Sequence, residues 1–422
     1  MTFAHDLRER VYLLGQNFPG YEDVLTQALF ALVTREHMLW YSKPGRAKTQ
    51  VAGSLFDMFA GAPVFRKQLT KDTMKEELFG NVVVDDFMKT GSEVYNLDNG
   101  IVESVFAYLD EFFDGADYLL RALLNLLNER EFHAKDMGVV VSPLHSVIAT
   151  TNFYRDREAT EAVLDRFMCK AVLQGIDGVA DSMRATATYL TYAGKAVPFE
   201  PLDYLGLKEL ADQVEAPESA GGITVSPGMR LLHVLLITEF QRRRIEAATK
   251  KWHAENPDAA EEPNELEIMV PDISPRTMVK LLDFVRASAA LSGRDAVAQD
   301  DVRGVLYGLV TIGDESGDQE LWAEVCNDHL GLSSKQLESL ENLGDLADQV
   351  AALKSERSQT SAMELMIGGR AYSVMSLTSS RALDVITGRD HPTLRLAKQQ
   401  ISSDITKLSG TKIARFDLLK GW

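Results

Sequence analysis

Lys48 and Thr49 stand where two patterns meet. Before them Met38, Leu39, Trp40 and Tyr41 form a short apolar run, and after them Val51, Leu55, Phe56, Met58 and Phe59 recur at helical spacing. Between lies Ser42-Lys43-Pro44-Gly45-Arg46-Ala47, a tight loop. Strand, loop and helix in that order bring the loop's N–H groups and the helix N-terminus onto one anion. A lysine placed there can reach the outer phosphates of a nucleotide, and a threonine can bind Mg²⁺. The general phosphate-loop pattern has glycine at the positions of Ser42 and Ala47, so a Pro-Gly turn before a Lys-Thr helix start is the competing account.

Two further apolar runs end on polar residues. Residues 104–111, Ser-Val-Phe-Ala-Tyr-Leu-Asp-Glu, read as a buried parallel strand closing on two carboxylates, and ligands of open α/β sheets bind outside that edge. Asp110 can hold Mg²⁺, usually through water, and Glu111 can polarise an attacking water. An acidic helix start, favoured by the helix dipole, explains the same pair. Residues 146–152 repeat the pattern with a terminal amide, and Asn152 can orient a water beside a γ-phosphate or cap the next turn. Farther on, Ser274-Pro275-Arg276 opens a helix with serine at the N-cap and proline at the first position. The dipole disfavours a cation at Arg276, so it has an anionic partner elsewhere or is simply solvated.

Holding these residues together takes a particular succession of elements. Residues 1–37 read as two helices (Leu7, Val11, Leu14; then Val24, Leu25, Ala28, Leu29, Leu32) joined by a turn at Phe18-Pro19-Gly20-Tyr21. Residues 63–69 are a second strand, 70–103 a hairpin or insertion, and Leu119, Leu120, Leu123, Leu124 and Leu127 mark a helix. Residues 131–145 read as a hairpin and 158–174 as a helix and strand around Leu164-Asp165-Arg166-Phe167. Strands alternating with helices predict a parallel sheet covered on both faces. From about 176 the pattern is helix after helix (202–213, 226–252, 274–291, 298–309), which sets a boundary near 180. Residues 255–265 are acidic and proline-broken, as in a solvated loop. Beyond 315 comes an acidic helical stretch, then a tail with a turn and short strand at 368–374 and a helix at 393–408.

Composition narrows the functional classes. The net charge is −18, which disfavours a surface that grips nucleic acid throughout, since phosphate neutralisation supplies most of that affinity. Residues 355–422 carry ten Lys or Arg against six Asp or Glu, a local +4 that leaves −22 on the rest. Two cysteines, Cys169 and Cys326, are too few and too distant for a disulfide framework or a Cys-based zinc site, and a reducing, cytoplasmic setting is expected. The first twenty residues lack the basic and apolar regions of a signal peptide, and no run of 18 apolar residues occurs, so integral membrane association is not expected.

The order of these signals resembles that of the AAA+ ATPases of the MoxR branch, nearest in look to the RavA-like group. Members show a Gly-Pro-Pro-Gly-x-Ala-Lys-Ser/Thr loop, which Ala47 fits. Residues 126–132, Leu-Leu-Asn-Glu-Arg-Glu-Phe, look like the segment after the acidic strand, and Arg286-Ala287-Ser288-Ala289 with Gly293-Arg294-Asp295-Ala296-Val297 looks like the lid. The resemblance covers about residues 5–310. It implies an α/β fold, an AAA+ parallel sheet covered by helices over 1–180, an all-α lid over 181–312 and a C-terminal extension over 313–422. ATP and Mg²⁺ are the implied ligands. Pro44, Gly45, Arg46, Ala47, Lys48 and Thr49 would cradle the phosphates, with Gly20 and Tyr21 near the adenine. Thr49 and Asp110 would hold the metal. Glu111 would be the base, Asn152 a sensor for water, Arg166 an arginine finger acting in trans and Arg276 a second sensor.

The resemblance further implies a homo-oligomeric ring, most often a hexamer, that remodels or chaperones a protein client, commonly with a von Willebrand factor A partner. Residues 81–100 and 132–145 would be insertions facing the pore. Two other functions stay open. One is a ring that binds nucleotide structurally and hydrolyses it weakly, favoured by Ser42 in place of a glycine that eases the loop's turn. The other is a nucleic-acid-dependent motor, which the +4 tail allows and the −22 body opposes.

Overall fold

The structure, a computed structural model, describes residues 2–91, 93–134, 136–152, 164, 166–175, 178–192, 200–257, 270–355, 364–367 and 370–373. A six-stranded sheet is built from β1 (Met38–Ser42), β2 (Val64–Gln68), β3 (Phe106–Asp110), β4 (Ser146–Thr151), β5 (Cys169–Leu173) and β6 (Thr311–Ile312). Its order is β6-β5-β1-β4-β3-β2, and every pairing is parallel. The predicted α/β fold is therefore present. The edge strand β6 was not foreseen: two residues carry no period, and they pair with Lys170 and Ala171 only through the tertiary fold. A similar two-residue pairing joins Phe59–Ala60 to Leu202–Asp203.

The main helices are α1 (Phe3–Asn17), α2 (Glu22–Val33), α3 (Lys48–Phe56), α4 (Asp117–Glu129), α5 (Val179–Tyr192), α6 (Tyr204–Glu215), α7 (Pro227–Glu255), α8 (Pro275–Leu291), α9 (Asp318–His329) and α10 (Ser334–Ser355). Strand parity decides what each sheet face meets. On one face Leu39, Ala107, Leu109, Val147 and Ala149 pack with Leu119, Leu120, Leu123, Leu126 and Leu127 of α4 in one buried cluster. Each of those leucines contributes about 2 kcal/mol by its burial, so a charge at Leu123 would undo the layer. On the other face Phe56 of α3 stacks on Phe106 of β3, with ring centroids 4.6 Å apart. The α3 face is the one that matters for chemistry, because Tyr108 and Asp110 share it with Phe106.

The chain divides into two compact units that are not contiguous in sequence. The first comprises residues 1–223, 287–295 and 304–319, and the second comprises 224–286, 296–303 and 320–422. Helix α6 belongs to the first, where Asp203 caps it by accepting from the Leu205 N–H and Leu207, Leu210, Ala211 and Val214 are buried. In the second unit α7 packs along α10, and Phe240 meets Trp322 edge-on at 5.8 Å. The crossing needs glycine: a Cβ on Gly344 would lie 2.3 Å from the Pro227 carbonyl.

Both expected insertions exist, and the first differs in content. Asn81–Val82 pairs antiparallel with Tyr95–Asn96, and the segment between holds a helix, Val84–Thr90, where a plain hairpin was one reading. Glu131–Ala134 pairs with Gly138–Val141 as the second. The two pack on each other through Tyr95 and Phe132, 5.7 Å apart, and through the Glu93 N–H donating to Asp136 at 2.7 Å. Phe87, Met88, Val139 and Val141 are left exposed on them. The expected span 298–309 is a 3₁₀ turn, Gln299–Val305, followed by one helical turn, Leu306–Leu309. The tail's strand forms as Glu364–Ile367 paired with Arg370–Ser373. The helices expected within 158–163 and at 393–408, and most of the acidic loop at 255–265, lie outside the described residues.

Candidate functional site

Parallel register brings the C-terminal ends of the strands to one edge. Ser42 is level with Leu173, Tyr41 with Thr151, and Leu109 with Ala149. The loop after β1, the acids after β3 and the amide after β4 therefore meet at the middle of the sheet, where β1 lies between β4 and β5.

The phosphate-type loop is shaped by two residues with positive φ, Gly45 (+82°) and Ala47 (+53°), the latter capping α3. Ser42 does not strain the turn. It is the last residue of β1, buried to 1% exposure, and the left-handed conformation falls at Ala47 instead. The expectation that Ser42 hampers the loop through its backbone is thereby corrected. The Ser42 Oγ is buried with no hydrogen-bond partner. Tyr21 donates its hydroxyl to the Arg46 carbonyl at 2.7 Å, tying the start of α2 to the loop. Arg46 lies over Gly175, where a Cβ would sit 2.1 Å from its Nη1. Gly20 turns with φ +86°, and its N–H donates to Glu22 at 2.8 Å.

Lys48 is the hub. Its Nζ lies 2.8 Å from Asn152 Oδ1, 3.2 Å from Glu111 Oε1 and 3.4 Å from Asp110 Oδ1. Asn152 also donates Nδ2 to Glu111 Oε1 at 2.5 Å. Glu111 reaches this position because its own backbone is left-handed, φ +51°, which turns the chain immediately after Asp110. Non-glycine residues at positive φ cost energy and persist where surrounding contacts demand them. Two such residues, Ala47 and Glu111, flank the lysine cluster.

One participant was not singled out from the sequence. Tyr108, two residues before Asp110 and so on the same strand face, sets its hydroxyl 3.1 Å from Thr49 Oγ1 and 3.4 Å from Thr150 Oγ1. Thr150 in turn donates to Asp110 Oδ1 at 2.5 Å. Burial, chiefly, pushes the Tyr108 phenol above its ordinary range, so it stays a neutral hydroxyl. The signal was available: an aromatic hydroxyl inside an otherwise apolar strand, in phase with the acid.

Thr49 and Asp110 present hard oxygen donors linked by this hydroxyl chain, the donor chemistry Mg²⁺ takes. The unpartnered Ser42 Oγ at the base of the loop is a further polar atom fit for a site that binds an oxyanion. Arg166 sits half-buried in the turn before β5, beside the buried Phe167. Arg276 is exposed near the start of α8 in the second unit, where the Ser274 Oγ caps the helix by accepting from the Thr277 N–H at 3.1 Å.

The chain is similar to known proteins in two stretches. Residues 5–187 match the family described as the MoxR domain in the MoxR-vWA-beta-propeller ternary systems, and residues 271–307 match the AAA lid domain. An uncharacterised protein of Methanocaldococcus jannaschii is 30% identical over 172 residues, 41% of this chain and 45% of that one. A second from the same organism is 30% identical over 149 residues, 35% and 39% of the two chains. Chaperone MoxR1 of Mycobacterium tuberculosis is 26% identical over 173 residues, 40% and 44%. Each match spans less than half of the relative's length. A crystal structure of a Cytophaga hutchinsonii protein, provisionally described as an ATPase, shares the fold with a TM-score of 0.52 at 20% identity, over 80% of this chain and 94% of that one.

Proposed function

We propose that the chain, MoxR-type AAA+ over residues 5–187 with an AAA lid over residues 271–307, binds ATP with Mg²⁺ at the Lys48 cluster and hydrolyses it. The observation that carries this reading is the convergence of Lys48, Asp110, Glu111 and Asn152 within 3.4 Å of the lysine nitrogen, at the edge where the loop and α3 meet. Lys48 would leave the carboxylates for the outer phosphates, with the N–H groups of Gly45, Arg46 and Ala47 beneath them and Pro44 shaping the turn. Thr49 and Asp110 would hold Mg²⁺, whose charge neutralises phosphate oxygens when it is bound. Glu111 takes the proton of the attacking water while Asn152 holds that water in line. Gly20 and Tyr21 border the base. Arg166 is assigned to a neighbouring copy's site, as a finger in trans, and Arg276 to the second sensor.

The wider reading is a ring, taken as a hexamer, that remodels a protein client in the cytoplasm, nearest in kind to the RavA-like group. Residues 1–180 and 181–312 would be its motor core and lid, and 313–422 a C-terminal extension to which no role is assigned. The matched family's description names a vWA component, which supports a von Willebrand factor A protein as partner. The exposed Phe87, Met88, Val139 and Val141 on the paired insertions support contact with a protein client. Both cysteines are free and buried, as a reducing compartment favours. Among the described residues no helix is long and apolar enough to cross a membrane.

A second reading, nucleotide held as a structural ligand with little turnover, is favoured by the strained Ala47 in the loop. Steady-state ATPase of the wild type against Glu111→Gln separates the two. Hydrolysis predicts a loss of at least about 100-fold with nucleotide binding kept. Equal, near-zero rates would leave only the structural ligand.

A further inference from the structure

The chain of hydroxyls behind Lys48 has a direction. Asp110 as a carboxylate can only accept, so the Thr150 hydrogen is committed to it, at 2.5 Å. Toward Thr150 the Tyr108 hydroxyl can then only donate, across the longest link of 3.4 Å. Its own oxygen is left to accept, and the partner it has is Thr49 Oγ1 at 3.1 Å. With the Tyr108 hydrogen drawn to the carboxylate side, where the phenol interacts with Asp110 as well as with Thr150, Thr49 donates to Tyr108 and Thr150 to Asp110. The Thr49 oxygen keeps its lone pairs and turns its hydrogen away from the loop. A hydroxyl free to rotate could aim that hydrogen at an incoming cation. Tyr108 is 4% exposed and Thr150 fully buried, so solvent does not reach the link between them, and Thr49 is the exposed end of the chain.

We infer that Tyr108 is a positioning residue that orients Thr49 as a Mg²⁺ ligand and couples it, through Thr150, to Asp110. This rests on the reading of the site as one for Mg-nucleotide. The relay costs the fold little, because the ring of Tyr108 fills the strand face that a phenylalanine would fill equally well. Its work lies in the single oxygen.

The test is Tyr108→Phe, read by titrating a fluorescent ADP analogue in EDTA and again across a Mg²⁺ series. The expected result is an affinity in EDTA within about twofold of wild type and a Mg²⁺ requirement raised about tenfold, the size of one lost hydrogen bond. A merely structural role would weaken both titrations together. Should Tyr108→Phe not fold, Thr150→Val and Thr150→Ser are compared: the valine variant raises the Mg²⁺ requirement and the serine variant, which keeps the hydroxyl, does not. Wild-type binding that Mg²⁺ strengthens, with an unchanged requirement in Tyr108→Phe, overturns this inference alone. Wild-type binding that Mg²⁺ does not affect, or no binding, overturns the reading of the site and the inference with it.

Discussion

Ala47 is in the left-handed region, φ +53° and ψ +16°, and a Cβ there costs about 1 kcal/mol relative to glycine. Glycine would return part of that gain through the greater freedom of its unfolded chain. Ala47→Gly is therefore expected to leave thermal stability within about 1 kcal/mol and to keep or modestly improve nucleotide binding. Ala47→Val is expected to lose about 2 kcal/mol or more and most of the binding, because a β-branched side chain is a true outlier at positive φ. Melting curves and a nucleotide titration check both, and indistinguishable variants would mean that the loop does not hold this conformation. Ser42, an extended strand residue, yields the opposite expectation: Ser42→Gly should not raise ATP turnover, since no backbone strain is there to relieve. The sequence pattern pointed to Ser42 because a consensus counts missing glycines without knowing which of them need a positive φ.

His145 shows how one buried side chain joins several elements. Its Nε2 donates to the Leu32 carbonyl of α2 at 2.6 Å, its Nδ1 lies 3.3 Å from the Tyr204 hydroxyl of α6, and its ring meets Phe106 of β3 edge-on at 5.7 Å. Burial, mainly, with Arg35 and Arg130 adding to it, pushes the imidazole down to about 3. Unfolded, it would titrate near 6.5. Between these values the unfolded chain binds a proton that the folded one does not, so the contribution is complete above pH 6.5 and is lost as pH falls toward 3. From pH 7 to 5 this should cost roughly 2 kcal/mol. Urea unfolding of wild type and His145→Gln at the two pH values checks it, the variant showing the smaller change. A variant that loses as much as wild type would assign the acid sensitivity to other groups. At this scale much of the fold could be read in advance, because β1, β3 and β4 are apolar runs ending on polar residues and α4 repeats leucine on one face. What could not be read was non-local: β6 has two residues, the helix at Val84–Thr90 is a short polar segment inside an insertion, and the compact units join segments far apart in sequence. The meeting of Lys48, Asp110, Glu111 and Asn152 was legible because all four sit at strand ends or at the helix start of a parallel sheet. Tyr108 was missed because an aromatic residue inside a strand reads as packing until its phase with Asp110 is noticed.

At the scale of the whole molecule the question is whether one chain is a complete catalyst. Lys48, Asp110, Glu111 and Asn152 form a cluster, and Arg166 lies in the turn before β5. If Arg166 serves the next copy, assembly through head-to-tail interfaces closes a ring and puts the base and the arginine of each site on different chains. Arg166→Ala should then lower turnover by about 10³-fold or more, and Glu111→Gln should be similarly inactive. Their mixture tests the arrangement directly. A site is competent where an Arg166→Ala chain, whose Glu111 is intact, meets a Glu111→Gln chain, whose Arg166 is intact. Random equal mixing makes about a quarter of the interfaces of that kind, so the mixture should recover about a quarter of wild-type turnover after subunit exchange. An arginine acting within its own chain gives no recovery at any ratio, since every chain then lacks one of the two groups. Dilution supplies a second reading of the same geometry, with turnover per chain falling as the ring comes apart, whereas a self-contained site would keep a constant rate.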